Sequence, residues 1–143
     1  MDLSATLDAP CSPADLFAWV DDLGRYPEWL TIVTRADPDG DSAWRVDLRG
    51  RVGPLARSKR LRMARTARQP DRLAVFERAE DDGRNHAPWL LRAAVEPSDG
   101  GSRLVMDLHY GGSFWGPVVE RLLRDEIDAS RARLLDLVSG RTR

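Results

Sequence analysis

A change in hydrophobic period near residue 116 constrains the fold of this chain more than any other feature. From residue 44 to residue 110, apolar and polar residues alternate in short runs separated by turn signals, and such runs predict β-strands. From Gly116-Pro117 onward, apolar residues recur every three or four positions, which predicts one helix of about 23 residues that ends near Gly140. Consecutive strands joined by short turns pair antiparallel. The sequence therefore predicts an antiparallel sheet that a single long helix covers.

The N-terminal segment adds one strand and two short helices to this plan. Residues 2–8 alternate between polar and apolar side chains, as in a half-buried strand. Ser12 followed by Pro13 is typical of a helix start, and the apolar spacing that follows predicts a helix ending at Gly24. The segment Tyr26-Pro27-Glu28-Trp29 closes a second helical turn.

About six further strands follow the helices. They are predicted at 31–36, 44–52, 57–68, 73–80, 89–95 and 104–110. Gly50 interrupts an apolar row and predicts a bulge or bend. The sequence does not decide which face of strand 73–80 points inward, because one of its two rows contains Glu77 and the other contains Arg78. Charged side chains are rarely buried unless they are paired, so whichever residue faces inward marks a polar site.

Composition predicts one domain, 1–143, located in the cytoplasm. A chain of 143 residues is long enough to bury a substantial core. Cys11 is the only cysteine, which excludes an internal disulfide, and His86 and His109 have no partners at metal-ligand spacing. No apolar run approaches the ~20 residues of a membrane span, and no basic region precedes an apolar core at the N-terminus. Neither a metal nor a cofactor is predicted.

Charge is distributed unevenly, although the net charge is only −1. Residues 45–72 carry ten bases and two acids, a net of +8, whereas residues 1–44 carry two bases and nine acids, a net of −7. Arg60, Arg62 and Arg68 are predicted to share an outer face in the basic block. The aromatic side chains that stack on nucleic-acid bases are absent from that face, so the sequence predicts a solvated surface and no nucleic-acid partner.

With these elements the chain resembles the START-like, or SRPBCC, superfamily, and within it the polyketide cyclase/dehydrase and lipid-transport proteins. The resemblance covers essentially the whole chain and rests on Asp8-Ala-Pro, the segment Leu-Phe-Ala-Trp-Val-Asp at 16–21, Tyr26-Pro27-Glu28-Trp29, the strand series and the terminal helix. It implies an α+β helix-grip fold, in which a curved antiparallel sheet of about seven strands wraps around the C-terminal helix. It also implies a cavity between sheet and helix that accepts apolar molecules.

The inward rows of the predicted sheet and helix supply the candidate ligand-binding residues, most of which are expected to serve as ordinary core. The candidates are Trp44, Val46, Leu61, Met63, Glu77, Trp89, Leu91, Leu104, Met106, Leu108, Tyr110, Trp115, Leu123 and Ile127. Met63, Met106 and Trp89 are favoured because flexible thioethers and large rings suit varied apolar ligands. Tyr110 adds a hydroxyl that could orient a ligand carbonyl.

Four other residues are expected at the edge of the cavity. Tyr26 and Trp29 are expected to pack the second short helix against the mouth of the sheet. Glu126 borders the apolar stripe of the terminal helix and could pair with an inward arginine. Ser130 could supply a hydroxyl from the same helix.

The sequence favours binding or transport of a small hydrophobic ligand, lipid-like or polyketide-like, over two alternatives. The first alternative is a polyketide cyclase/dehydrase-type enzyme that uses the same cavity, with proton transfer by Tyr110, a carboxylate or ordered water. The second is a regulatory or toxin-like protein-interaction role for the arginine face. The chain has no signature of a characterised cyclase subgroup, so no catalytic residue is predicted. The sequence leaves open whether the chain forms a homodimer.

Overall fold

A computed structural model describes residues 2–52, 54–111 and 117–140, including all of their side chains except those of residues 51, 52, 55 and 117–123. The elements in chain order are β1 (Asp2–Ala9), α1 (Pro13–Phe17), a 3₁₀ helix (Leu23–Glu28), β2 (Val33–Pro38), β3 (Ala43–Val52), β4 (Leu55–Gln69), β5 (Leu73–Arg78), β6 (Trp89–Ser98), β7 (Gly101–Tyr110) and α2 (Pro117–Val138). The strand series and the long terminal helix are confirmed.

The seven strands form one sheet in the order β1-β7-β6-β5-β4-β3-β2, and every neighbouring pair is antiparallel. β1 pairs with β7 from Asp2 opposite His109 to Ala9 opposite Ser102. The first and last strands of the chain are therefore neighbours, and β1 and β2 are the two edges. α2 lies over the sheet and contacts β1. The helix therefore covers the apolar face of the sheet, as predicted.

The first predicted helix is shorter than expected. Ser12 Oγ accepts a hydrogen bond from the Asp15 backbone N–H at 3.1 Å, which confirms the predicted start, but α1 ends at Phe17. The Asp22 carboxylate then accepts from the Gly24 N–H at 2.8 Å and caps the 3₁₀ helix. Asp22 is itself a typical N-cap residue, so the second helix begins directly after it. Gly24 therefore lies inside the second helix and does not end the first.

The sheet contains register shifts, but not at Gly50. Gly50 pairs regularly with Arg57, so the predicted bulge is wrong. One shift lies between Val33 and Arg35 in β2, and another lies between Arg65 and Ala67 in β4.

The β4 shift also corrects the predicted face of Arg68. An extra residue in one strand moves the side chains that follow it to the other face. Arg68 pairs with the fully buried Ala74 and lies on the inner side, as does Arg65, which pairs with the fully buried Phe76. Both guanidinium groups bind Asp21, at 3.1 Å and 3.0 Å, and so attach the segment after α1 to the sheet.

An aromatic cluster fills the core between the N-terminal helices and the centre of the sheet. Tyr26 is fully buried and its ring meets Trp29 at 4.9 Å and Phe76 at 6.3 Å. Phe76 in turn meets Trp44 edge-to-face at 5.6 Å. The Tyr26 hydroxyl donates to the Val20 carbonyl at 2.9 Å, which satisfies the one polar atom of its buried ring.

Candidate functional site

An apolar cavity of about 100 Å³ lies between α2 and the β1–β7 side of the sheet. The segment after the 3₁₀ helix closes one side of it. The lining residues are Leu3, Ser4, Ala5, Thr6, Leu7, Trp29, Leu30, Ile32, Leu91, Leu104, Met106, Leu108, Ile127, Ser130, Arg131 and Leu134. Three strands (β1, β6 and β7), the segment after the 3₁₀ helix, and α2 therefore build one site.

The structure places five of the predicted ligand-binding residues in this lining. They are Leu91, Leu104, Met106, Leu108 and Ile127. β7 supplies three of them because Leu104, Met106 and Leu108 alternate along the strand and so share the face that lines the cavity. Trp115 lies outside the described residues, as does the side chain of Leu123.

The other predicted residues are found elsewhere. Trp44, Val46, Leu61 and Met63 are buried in the hydrophobic core, where Trp44 pairs with Met63 and Val46 with Leu61 across β3 and β4. Trp89 and Tyr110 face each other across β6 and β7, and their rings stack with centroids 4.8 Å apart. None of these six side chains lines the described cavity.

Glu77, predicted as a ligand contact, lies on the wrong face for that role. Ala74 and Phe76 are fully buried, and Arg78 pairs with the buried Met63, so the inner row of β5 is the one that contains Arg78. Glu77 pairs with Ala64 and belongs to the outer row. The two rows are equally apolar in the sequence, and only the partner strands decide between them.

Arg78 does not line the cavity either, because it forms an ion pair at the end of β5. Its Nε lies 2.6 Å from Glu80 Oε2, and the two side chains are only 8% and 12% exposed. Arg78 Nη1 also donates to the Ala87 carbonyl at 3.3 Å, and Glu80 accepts from the Arg62 backbone N–H at 3.2 Å. The pair therefore fastens the 79–88 connection to β4 where β5 stops.

The sequence did not predict the part of the lining that comes from β1, or Leu30 and Ile32 after the 3₁₀ helix. Leu3 and Leu7 belong to the alternating pattern of residues 2–8, but nothing in the sequence indicates that this strand pairs with β7. Trp29 was expected at the mouth of the sheet and does line the cavity. It is 4% exposed, and its Nε1 donates to the Trp19 carbonyl at 3.2 Å.

Two polar residues of α2 touch the cavity. Ser130 is 1% exposed, and its hydroxyl donates to the Glu126 carbonyl at 2.7 Å. Arg131 is the only charged side chain in the lining formed by the described residues. It pairs with Asp128 at 3.3 Å, and both side chains are well exposed.

The cavity adjoins a polar groove of about 310 Å³ between the edge strand β1 and α2. The two spaces share Leu3, Ser4, Ala5, Thr6, Ile127 and Arg131. The groove adds Arg124 and Asp128. The apolar cavity therefore continues into a charged outer space.

The remaining titratable candidates are outside this site. His109 Nδ1 lies 2.7 Å from Asp2, with a half-exposed ring, and His86 Nε2 lies 2.8 Å from Asp82. Burial, followed by the charge of Asp15, raises the pKa of the Cys11 thiol, which disfavours the reactive thiolate. The part of the chain that the structure describes contains no cluster of three His, Cys, Asp or Glu residues suited to a metal ion.

Much of the basic block is paired with carboxylates. Arg62 lies 2.8 Å from Asp39, Arg60 lies 2.7 Å from Asp47, and Arg45 lies 2.6 Å from Asp81. Hydrogen bonds from arginine lower the pKa of Asp39 and of Asp47. Asp39 and Asp21 belong to the acidic first segment, so the two oppositely charged segments meet within one chain.

An antiparallel sheet that packs against a terminal helix, with an apolar cavity between them, is typical of one class of ligand-binding folds, and this chain has that architecture. The family described as polyketide cyclase / dehydrase and lipid transport matches residues 1–138, and the chain belongs to it. The match confirms the resemblance to the START-like, or SRPBCC, superfamily, and the architecture is its helix-grip fold. A search of curated proteins found no match.

Solved structures with the same fold cover nearly the whole chain at low identity. A START superfamily protein from Mycobacterium smegmatis is 18% identical, with a TM-score of 0.69 and 99% of each chain covered. An AHSA1 protein from Silicibacter pomeroyi is 22% identical, with a TM-score of 0.65 and 99% of each chain covered. A protein from Thermus thermophilus is 15% identical, with a TM-score of 0.67 and 100% of each chain covered. These likenesses establish the fold alone.

Proposed function

We propose that this protein binds a small apolar molecule, or the apolar part of an amphiphile, in the cavity between α2 and the β1–β7 side of the sheet. The observation that carries the proposal is the composition of the lining, in which aliphatic side chains predominate. Removing apolar ligand surface from water contributes roughly 25 cal/mol per Å². Affinity would therefore come from burial and not from a network of polar contacts.

The size of the cavity limits its occupant. An apolar protein cavity of about 150 Å³ accommodates benzene, whereas pockets for drug-sized ligands span roughly 300–1,000 Å³. The cavity of about 100 Å³ therefore suits a short aliphatic segment or a small ring. Any larger remainder of the ligand would lie in the adjoining groove.

We propose binding and not turnover because of the chemistry of the lining. Acid–base catalysis needs a titratable group within hydrogen-bond reach of the reacting atom. In the described part of the lining, Arg131 is the only charged side chain, and its guanidinium stays protonated at ordinary pH. Tyr110, the predicted proton donor, stacks on Trp89 and does not line this cavity.

Native mass spectrometry of the protein purified from its own host tests this proposal. We expect a bound small molecule that is released on denaturation. Met106→Trp adds an indole inside the cavity and should abolish the bound mass, whereas Val105→Trp adds it on the opposite face of β7 and should retain it. Equal retention by both folded variants would contradict the proposal.

The proposal also includes the cellular setting expected from the sequence. Cys11 is a free cysteine, which is compatible with a reducing cytoplasm. The described part of the chain includes no helix long and apolar enough to cross a bilayer. Cell fractionation tests the location, and sedimentation velocity decides whether the chain is a monomer or a homodimer.

A further inference from the structure

We propose that the ligand is an anionic amphiphile whose acidic headgroup binds in the groove between β1 and α2, beside Arg131. This inference rests on the proposed function, because it assigns the ligand's apolar tail to the cavity already described. The shared chemistry is a carboxylate or phosphate joined to a short apolar tail.

Arg131 lies at the boundary between the apolar cavity and the polar groove. It lines both spaces, so a molecule whose tail fills the cavity and whose head emerges into the groove must pass its guanidinium. Guanidinium groups bind carboxylates and phosphates with paired hydrogen bonds. A neutral hydroxyl head can accept a hydrogen bond from the same guanidinium, but without the charge assistance and the paired geometry that an anion provides.

Helical geometry places further polar groups along the same path. Arg124, Asp128 and Arg131 occupy positions i, i+4 and i+7 of α2, which share one helix face, and all three line the groove. Ser4 and Thr6 of β1 lie opposite them in the same groove. Among the described residues of α2 that line the groove, two therefore carry guanidinium groups and one carries a carboxylate.

Asp128 is the competitor that a ligand headgroup must displace or share. Its carboxylate lies 3.3 Å from Arg131 Nη1, and the two side chains are 71% and 48% exposed. Exposed pairs of this kind are weak, so a headgroup held in place by a buried tail can replace Asp128 as the partner of Arg131. Removing the Asp128 charge should therefore strengthen binding of an acidic ligand.

Isothermal titration calorimetry with hexanoate, hexyl phosphate and 1-hexanol tests the inference. We expect at least one of the two anions to bind more tightly than the alcohol, and the comparison of the anions distinguishes a carboxylate from a phosphate head. Arg131→Gln should weaken anion binding about three- to fivefold and leave 1-hexanol binding unchanged. Asp128→Asn should strengthen anion binding about two- to fivefold, again with no change for the alcohol.

Arg103→Gln is the matched control, because Arg103 is a comparably exposed arginine paired with Asp8 away from the groove. Arg103→Gln should change neither the affinity for the anions nor the affinity for 1-hexanol. If 1-hexanol binds as tightly as both anions, or if Arg131→Gln weakens all three ligands equally, the headgroup assignment is wrong while the cavity stands. If none of the three ligands binds, both the assignment and the proposed function are wrong.

Discussion

Ser130 donates its hydroxyl hydrogen to the carbonyl oxygen of Glu126, one turn earlier in α2, at 2.7 Å. The only fully buried polar side chain in the described cavity lining thus satisfies its donor within its own helix. Back-bonding of this kind lets a serine occupy an apolar surface without presenting its O–H to it. The cavity is therefore more apolar in effect than its residue composition suggests.

We expect Ser130→Ala to leave binding of 1-hexanol unchanged within about twofold. The free energy of unfolding should change by less than about 1 kcal/mol, because alanine is the better helix former and the lost hydroxyl bond has a modest net value. Calorimetry and urea unfolding measure the two quantities. A tenfold loss of binding would show that the hydroxyl contacts the ligand directly.

Leu134→Ala should enlarge the cavity at a large cost in stability. Leu134 is 1% exposed and lines the cavity, and buried Leu→Ala substitutions cost about 2–5 kcal/mol. The half-buried neighbour Leu135 provides the control, since its truncation should cost less. Equal costs for the two variants in urea unfolding would contradict the placement of Leu134.

Stability should fall in alkaline solution because of Tyr26. Burial raises the pKa of the Tyr26 hydroxyl, and the nearby Asp21 and Asp22 raise it further. The folded chain therefore keeps this proton at a pH where the unfolded chain has lost it, so the free energy of unfolding decreases as pH rises above the ordinary tyrosine value of about 10.

Tyr26→Phe isolates that effect. The variant should lose about 1 kcal/mol at pH 7, because the hydrogen bond to Val20 is gone, and it should lose less stability than the parent protein between pH 9 and pH 11. Urea unfolding at each pH supplies the comparison. Parallel pH profiles for the two proteins would mean that the Tyr26 hydroxyl ionises freely in the folded state.

Asp21→Asn should weaken the attachment of the N-terminal helices to the sheet. The Asp21 side chain is 17% exposed and binds both Arg65 and Arg68, so we expect a loss of about 1–3 kcal/mol. Asp37→Asn removes the exposed partner of Arg35 and should cost less than about 1 kcal/mol. Equal effects in urea unfolding would show that the double arginine contact adds nothing.

Local patterns predicted the elements well because each element carries its own period and turn signals. The switch from alternation to helical spacing located α2, which runs to Val138, and Gly140 adopts the positive φ of a helix-ending glycine. The shift between Arg65 and Ala67 could not be predicted, because nothing in the local alternation of β4 distinguishes a bulged strand from a regular one. That shift is what brings Arg68 to Asp21.

The candidate site was predicted where the periodicity of a single strand or helix was sufficient. Leu104, Met106 and Leu108 alternate on β7 and line the cavity. The contribution of β1 depends on its pairing with β7 across about a hundred residues, which periodicity does not encode. Arg78 could be buried because Glu80, two positions later, pairs with it, and this compensation is visible only once the backbone path is known.

Carbon-13 methyl NMR of the methionines during titration with 1-hexanol tests the central claim most directly. Met106 lines the cavity, whereas Met63 is buried beside Trp44 and does not belong to the lining. Occupation of the cavity should shift the Met106 methyl signal saturably, with contacts to the alcohol chain, and leave the Met63 signal in place. An unresponsive Met106 signal, or a linear drift of both signals without saturation, would contradict the existence of a ligand-binding cavity beneath α2.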